Sequence, residues 1–298
     1  MGFDRTSRCR GTGRAVAAAC VGLALAASAA GQTWVGRPVA TDPDFAPHIW
    51  HNADVMLDGA GDVTVTGALP IGTPFNGGPT IIAAMTPGQT FFHHRTVTAA
   101  PVSNTSAELG PGGLVQFASS GQFAGSGRVL YGQDLGSFGP GGLATDQQIP
   151  AWPPAHPLGV TLAVDHQGVP TVGWFFVSSS NPDSGYYASR FDTASGDWPA
   201  AAQLIAPIDV GSSFPANVPA IAFDADNRRV TAMTFSGDDG STAGAVEIRR
   251  RNAQGQSLLY RDDWAANPSG IALTVGPADQ VAAAYVNEHQ DVEVDVRE

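Results

Sequence analysis

One phrase recurs five times along this chain of 298 residues, and it restricts the fold more than any other feature. Each copy is a short apolar run, a polar or small residue, a tight turn, and a second apolar run. The separations of 60, 47, 59 and 50 residues between copies give a period of about 54. The positions taken as equivalent are Asp58, Ala118, Asp165, Asp224 and Thr274.

This period, with several strands in each unit, is typical of propeller blades. The sequence therefore predicts an all-β fold: a single β-propeller over residues 31–298, with five four-stranded blades. A propeller of six or seven blades and a β-sandwich are the alternatives. A second pattern, a glycine followed by a polar residue at the start of an expected strand, occurs at Gly88, Gly196 and Gly255. Gly31–Val35 repeats that pattern, so we expect the N-terminal strand to complete the last blade and close the ring.

Residues 1–30 have the three parts of a secretory signal peptide. Four arginines precede an apolar stretch, Ala15–Ala27, and small residues follow at Ser28–Ala30. Both cysteines, Cys9 and Cys20, lie inside this segment, so the mature chain would have no disulfide. The sequence predicts a secreted or periplasmic protein with no membrane span after cleavage. A membrane-anchoring helix and a lipoprotein modified at Cys20 are the alternatives. The four arginines that precede the apolar stretch are Arg5, Arg8, Arg10 and Arg14.

The charge pattern excludes several classes of function. All 15 basic residues are arginine, which excludes lysine Schiff-base chemistry and a phosphate-binding P-loop. The net charge of −12 argues against a nucleic-acid partner, because phosphate binding needs a basic face. We predict no cofactor and no metal, a carbohydrate or a surface protein as partner, and a monomer.

Residues 160–198 carry the most specific pattern in the repeat. They include Leu-Ala-Val-Asp, a turn, Gly-Val-Pro-Thr-Val-Gly-Trp, then Tyr-Tyr-Ala-Ser-Arg-Phe-Asp and Gly-Asp-Trp. This pattern resembles blades of the sialidase-like (BNR-type) propellers of exported bacterial proteins. The resemblance is at superfamily level, covers most of residues 31–298, and implies the fold. It does not imply sialidase activity, because only Gly31–Trp34 matches the tail of that family's Asp-box, and Ala29 stands where its aspartate would be.

Candidate ligand-binding residues lie in the loops expected over one end of the propeller channel. Tryptophans there could stack on the apolar face of a sugar, with histidines as hydrogen-bond partners. The alternative is that these tryptophans pack between blades. The candidates are His48, Trp50, His51, Trp152, His156 and Asp183.

Other polar groups have structural interpretations. Asp58, Asp165 and Asp224 recur at the hairpin turn, where aspartate bonds its own backbone, so we predict a structural role. The pair His93-His94 lies in an outer strand, where neighbouring side chains point to opposite faces and chelate poorly. Arg249–Arg251 is expected to alternate in exposure along a strand.

Two functions fit these patterns. The first is a secreted, non-catalytic propeller that binds a carbohydrate, an envelope component or a protein, with no catalytic residue assigned. The alternative is a carbohydrate-active hydrolase or lyase of five-bladed type, which needs one aspartate and one glutamate projecting from innermost strands. Glu288 with Asp183 or Asp238 is the pair considered for that chemistry.

Overall fold

The computed structural model describes most of the second half of the chain and much of the first. The described residues are 51–59, 61–68, 78–85, 93–102, 104–123, 126–134, 147–150, 157–176, 184–208, 218–235, 244–252, 255–262, 269–276, 278–286 and 292–297. In these ranges the protein is all-β, with a short 3-10 turn at Pro111–Gly113 and no α-helix. Within these ranges, no helix is long and apolar enough to cross a membrane.

The strands follow one another in a simple order. They are β1 (His51–Leu57), β2 (Val63–Ala68), β3 (Gly78–Met85), β4 (His93–Val102), β5 (Asn104–Leu109), β6 (Val115–Phe123), β7 (Ser126–Asp134), β8 (Gln147–Ile149), β9 (Leu158–Val164), β10 (Pro170–Phe176), β11 (Gly185–Arg190), β12 (Gln203–Pro207), β13 (Ala220–Phe223), β14 (Arg229–Phe235), β15 (Ala245–Asn252), β16 (Gly255–Asp262), β17 (Ser269–Val275), β18 (Val281–Val286) and β19 (Val292–Arg297).

These strands form five antiparallel sheets, numbered here in chain order, in which sequence neighbours pair. Sheets 1 to 4 have four strands each: β1–β4, β5–β8, β9–β12 and β13–β16. Sheet 5 has three described strands, β17–β19. The first strand of each sheet contacts the first strand of the next, from β1 through β5, β9 and β13 to β17. This is the arrangement of a β-propeller, in which the first strands surround a central channel.

The hydrophobic core lies between successive sheets rather than in one central mass. Between sheets 2 and 3, for example, Tyr131 meets the ring of Trp198 edge-on, and Trp174 is almost completely buried. Between sheets 3 and 4, Tyr186 packs against Phe235 and donates its hydroxyl hydrogen to the carbonyl of Thr234. Each sheet is therefore stabilised mainly by the neighbours on its two faces.

The first hairpin of every sheet has the same backbone hydrogen bonds. In each, the N–H of the first turn residue donates to the carbonyl four residues later, and its own carbonyl accepts from the N–H three residues later. The residue at that third position has a positive φ, as a type I turn with a following bulge requires. The first turn residues are Asp58, Gly110, Asp165, Asp224 and Gly276.

This alignment corrects two of the positions expected from the sequence. In sheet 2 the equivalent residue is Gly110 rather than Ala118, because Val115–Phe123 is the second strand of its sheet and not the first. In sheet 5 the equivalent residue is Gly276 rather than Thr274. The separations become 52, 55, 59 and 52 residues, which is more regular than the predicted spacing.

The structural role predicted for the recurring aspartates is confirmed. The carboxylate of Asp165 accepts the N–H groups of Gln167 and Val169, within its own turn. Asp224 accepts those of Asp226 and Arg228 in the same way. Each aspartate therefore fixes the turn that joins the first two strands of its sheet.

Neighbouring hairpins are also tied to each other. The backbone N–H of His166 donates to the side chain of Asn227 in the next hairpin, and Ala225 donates to Asp279 in the one after. Asn227 and Asp279 are the turn residues at φ 58° and 62°. Their side chains account for the use of a non-glycine residue in this strained backbone conformation.

Candidate active site in the channel

In two places, a side chain from the first strand of one sheet accepts a backbone hydrogen bond from the first strand of the next sheet. β5 and β9 lie at the edges of their sheets, so N–H groups on their free side have no strand partner. The carboxylate of Asp54 in β1 accepts the N–H of Ala107 at 2.7 Å. The carboxylate of Glu108 in β5 accepts the N–H of Val164 in β9. The innermost strands thus carry an aspartate and a glutamate on neighbouring sheets.

The two carboxyl groups are close enough to affect one another. Asp54 binds the backbone of the residue that immediately precedes Glu108. Burial raises the pKa of Glu108 to about 7, and the negative charge of Asp54 adds to this effect, while the N–H of Val164 opposes it. Glu108 is therefore about half protonated near neutral pH.

Asp54 is perturbed in the same direction. Burial raises its pKa above the usual value of an aspartate, against the opposing effects of the Ala107 N–H and the Ser106 hydroxyl. Ser106 also accepts the N–H of Leu162, so it connects all three of the first strands involved. The site is a pair of partly desolvated carboxyl groups held by backbone donors.

Other buried carboxylates in the described residues are neutralised by arginine. Asp165 pairs with Arg190, and Glu247 lies between Arg249 and Arg261. Glu108 and Asp54 have no arginine within ion-pair distance among the described residues. This difference separates the channel pair from carboxylates that only stabilise the fold.

A cavity of about 530 Å³ opens beside Glu108, at the end of the sheets where the first hairpins turn. Its walls combine larger apolar side chains, such as Ile221, Phe223 and Leu273, with three small ones. The small ones are Ala163 on β9, Ala222 on β13 and Thr274 on β17. A small ligand or a part of a larger one fits a space of this size.

This arrangement can carry out acid–base chemistry. A carboxyl group with a pKa near 7 is suited to donate a proton at neutral pH. A second carboxylate nearby can activate water or act as a nucleophile, which is the pairing that glycoside hydrolysis requires. Glu108 fits the first role and Asp54 the second.

The ligand-binding residues expected from the sequence are not tested. His48, Trp50, Trp152, His156 and Asp183 lie outside the described residues, as do Glu288 and Asp238. His51 begins β1, but the position of its side chain is not described. His93 begins β4, the fourth strand of its sheet, as its predicted outer position requires.

Sequence reasoning missed both residues of the channel pair. With the second repeat aligned on Ala118, Glu108 lay before the first strand of its unit. Aligned on the hairpin turn, Glu108 stands two residues before Gly110, and Asp54 stands four residues before Asp58. The pattern of turn glycines, Gly61, Gly113 and Gly168, was the signal that could have given the correct alignment.

Comparison with known proteins adds information on fold only. No protein-family model matches the sequence, and no curated protein matches it. A protein of unknown function from Dyadobacter fermentans is similar in structure, with a TM-score of 0.56 and 11% identity over 84% of this chain and 79% of that one.

Two enzymes are also similar in structure, at lower scores. A GH43_1 enzyme from Xanthomonas citri complexed with xylose has a TM-score of 0.47 and 10% identity over 82% of this chain and 86% of that one. An endo-arabinase from Bacteroides thetaiotaomicron has a TM-score of 0.47 and 14% identity over 89% and 96%. Similarity at these levels does not transfer an activity. These comparisons do not support the sialidase-like type that the sequence resemblance implies.

Proposed function

We propose that this protein is a secreted carbohydrate-active hydrolase whose reaction takes place in the channel. The observation that carries the proposal is the coupled pair of Asp54 and Glu108 on the innermost strands β1 and β5. Glu108 donates its proton to the glycosidic oxygen as the bond from that oxygen to the sugar carbon breaks. Asp54 accepts a proton from the water that attacks that carbon, and proton exchange with solvent then returns Asp54 to the carboxylate and Glu108 to the acid.

The charge of the channel indicates the class of substrate. Glu108 and Asp54 have no cationic partner among the described residues, so they repel a second anionic group. The cavity of about 530 Å³ beside Glu108 has room for a sugar ring. A neutral polysaccharide or oligosaccharide is therefore the substrate class that fits best.

A second candidate function is a non-catalytic carbohydrate-binding propeller. The observation that favours it is that both carboxylates already accept backbone N–H groups, from Ala107 and Val164. On this interpretation the only role of Asp54 and Glu108 is to accept the free backbone N–H groups at the edges of the inner strands. Ligand contacts would then come from the loop residues predicted from the sequence, such as Trp50 and Trp152.

One incubation separates the two candidates. The purified protein is mixed with a panel of neutral polysaccharides, and both bound protein and released reducing ends are measured. Release of reducing ends supports the hydrolase. Binding without release supports the binding module. If neither signal is observed, neutral glycans are excluded as the ligand for both candidate functions.

We further propose that the sheets form a closed five-bladed ring. Val55 and Leu57 of β1 are 58% and 53% exposed, on the face opposite Met56, which packs against sheet 2. Val296 of β19 is 59% exposed and pairs with Ala282. It therefore shares the face of Ala282, which is turned away from sheet 4, because the next residue of β18, Ala283, points to the other face and packs on sheet 4. These two apolar faces would meet if sheets 5 and 1 are neighbours, with Gly31–Val35 pairing beside β19 as the fourth strand.

Deletion of residues 31–42 tests this closure. Without the proposed fourth strand, the edge of β19 would be open and the contact between sheets 5 and 1 would weaken. We expect the melting temperature to fall by roughly 5–10 °C, since losing a strand and its packing costs several kcal/mol. An unchanged melting temperature would show that the N-terminal segment does not close the ring.

A further inference from the structure

A second cavity, of about 350 Å³, lies between sheets 3 and 4, away from the carboxyl pair. Four arginines line it: Arg190 at the end of β11, Arg228 in the turn before β14, Arg229 at the start of β14 and Arg251 near the end of β15. Thr171 of β10 lines it as well. In a chain of net charge −12, this is a concentration of positive charge.

The charges of these arginines are only partly balanced. Arg190 pairs with the carboxylate of Asp165, and Arg228 pairs with those of Asp224 and Asp226. Arg229 and Arg251 have no carboxylate within ion-pair distance among the described residues. Instead, both donate to the same neutral acceptor, the side-chain oxygen of Gln203, at 3.3 and 2.6 Å. The cavity therefore has an excess of positive charge and of hydrogen-bond donors.

Two buried donors at this cavity have no partner within the described residues. The Nε–H of Arg229 and the hydroxyl of Thr171 are both inaccessible to solvent and unpaired. Arg229 is only 5% exposed. Leaving buried polar groups without partners is costly, so their occurrence together at one cavity points to a missing acceptor.

The electrostatics of Arg229 agree with this interpretation. Burial lowers its pKa to about 10, and the positive charges of Arg251 and Arg190 contribute in the same direction. An anion in the cavity would offset both effects, since it accepts the free hydrogen bonds and neutralises the repulsion between the arginines.

We propose that this cavity binds the oxyanion of a ligand, a carboxylate, sulfate or phosphate group, between Arg229, Arg251 and Thr171. The planar guanidinium groups of arginine suit such groups, because they donate two parallel hydrogen bonds to two oxygens. Arg190 adds positive charge at the wall while it stays paired with Asp165. The site does not depend on the hydrolase proposed for the channel, where the carboxyl pair favours a neutral ligand.

Isothermal titration with simple anions tests the proposal on the full protein at low ionic strength. The probes are inorganic sulfate, inorganic phosphate and D-glucuronate, with D-glucose as the neutral control. We expect saturable binding of at least one anion, weakening as sodium chloride is added, and none of glucose. The anion that binds most tightly distinguishes a carboxylate ligand from a sulfate or phosphate ligand.

Three variants locate the binding. Arg251→Gln should weaken it about tenfold, because it removes one charge-assisted donor from an exposed side chain. Thr171→Val should also weaken it, yet leave the free protein as stable as before or more so, because it removes an unpaired buried hydroxyl. Arg128→Gln removes the same charge from sheet 2, outside the cavity, and should change the affinity less than twofold.

Two results would overturn the proposal. The first is that no anion binds at millimolar concentration, while the protein remains folded by circular dichroism. The second is that Arg251→Gln and Arg128→Gln weaken binding equally, which would show a general effect of net charge. Neither result bears on the channel, because the hydrolase is assayed there with neutral glycans.

Discussion

Glu108→Gln is expected to reduce the hydrolysis of a neutral glycan by about 10²–10⁴-fold, the contribution typical of a general acid. Glutamine cannot donate the proton, but its side-chain oxygen can still accept the N–H of Val164 that Glu108 now accepts. The variant should therefore keep the edge contact between β5 and β9. Reducing-end release at saturating substrate, compared with the wild-type protein, measures the effect.

Two further variants complete that comparison. Asp54→Asn should also lose most of the activity, because the amide cannot assist the attack of water, while its oxygen can still accept the N–H of Ala107. Asp226→Asn is the matched control, since Asp226 is a 68% exposed carboxylate on a hairpin and its nearest cation is Arg228. If Glu108→Gln keeps full activity, Glu108 is a structural edge contact and the binding module becomes the better interpretation.

Asp224→Ala is expected to have the largest effect on stability among the hairpin residues, about 3–5 kcal/mol. The carboxylate of Asp224 is completely buried and accepts two turn N–H groups. It also forms ion pairs with Arg228 and Arg250. Its removal leaves buried donors unpaired, so we expect the melting temperature to fall by roughly 10 °C.

Asp58→Ala provides the control at the equivalent position of sheet 1. Asp58 is only half-buried, and its carboxylate accepts the N–H of Asp62. We expect a loss of about 1 kcal/mol. Sheets 2 and 5 fold the same turn with Gly110 and Gly276, so the turn alone does not require the carboxylate. Equal losses for the two variants would contradict the importance of the buried ion pairs around Asp224.

The sequence was sufficient to predict the repeat and most of its strands. The apolar runs that end at Asp58, Asp165 and Asp224 are first strands, as expected, and each is followed by a second strand. These hairpins are visible in sequence because an aspartate and a residue with positive φ recur at fixed separations.

The second repeat was misaligned for a physical reason. Val115–Phe123 is buried on both faces over most of its length, and its apolar start, Val-Gln-Phe-Ala, is followed by the polar and small residues Ser-Ser-Gly, as a first strand and its turn would be. Its true first strand, Asn104–Leu109, carries polar side chains and ends at a glycine instead of an aspartate. Composition alone does not distinguish these two cases.

The channel pair was beyond sequence reasoning for another reason. Asp54 and Glu108 are brought together by the packing of sheets 1 and 2, and each is held by a backbone N–H of the following sheet. A local sequence pattern does not predict such contacts, because they join residues more than 50 positions apart. The loop residues predicted as ligand contacts, including Trp50 and Trp152, remain predictions.

The most direct test of the channel pair is the pH dependence of stability, compared between the wild-type protein and Glu108→Gln. The pKa of Glu108 is about 7 in the folded protein and 4.5 as the ordinary value. Because the folded pKa is the higher one, folding favours the protonated form, and this contribution is complete below about pH 4.5. It is lost as the pH rises through 7, by about 3 kcal/mol in total.

Urea unfolding at several pH values between 4 and 8 supplies this comparison. The account predicts that the wild-type protein loses about 3 kcal/mol relative to Glu108→Gln over this range, with most of the change between pH 4.5 and 7. A difference between the two proteins that stays constant over the whole range would contradict it. Glu108 would then ionise like an ordinary glutamate, and the channel would have no proton donor at neutral pH.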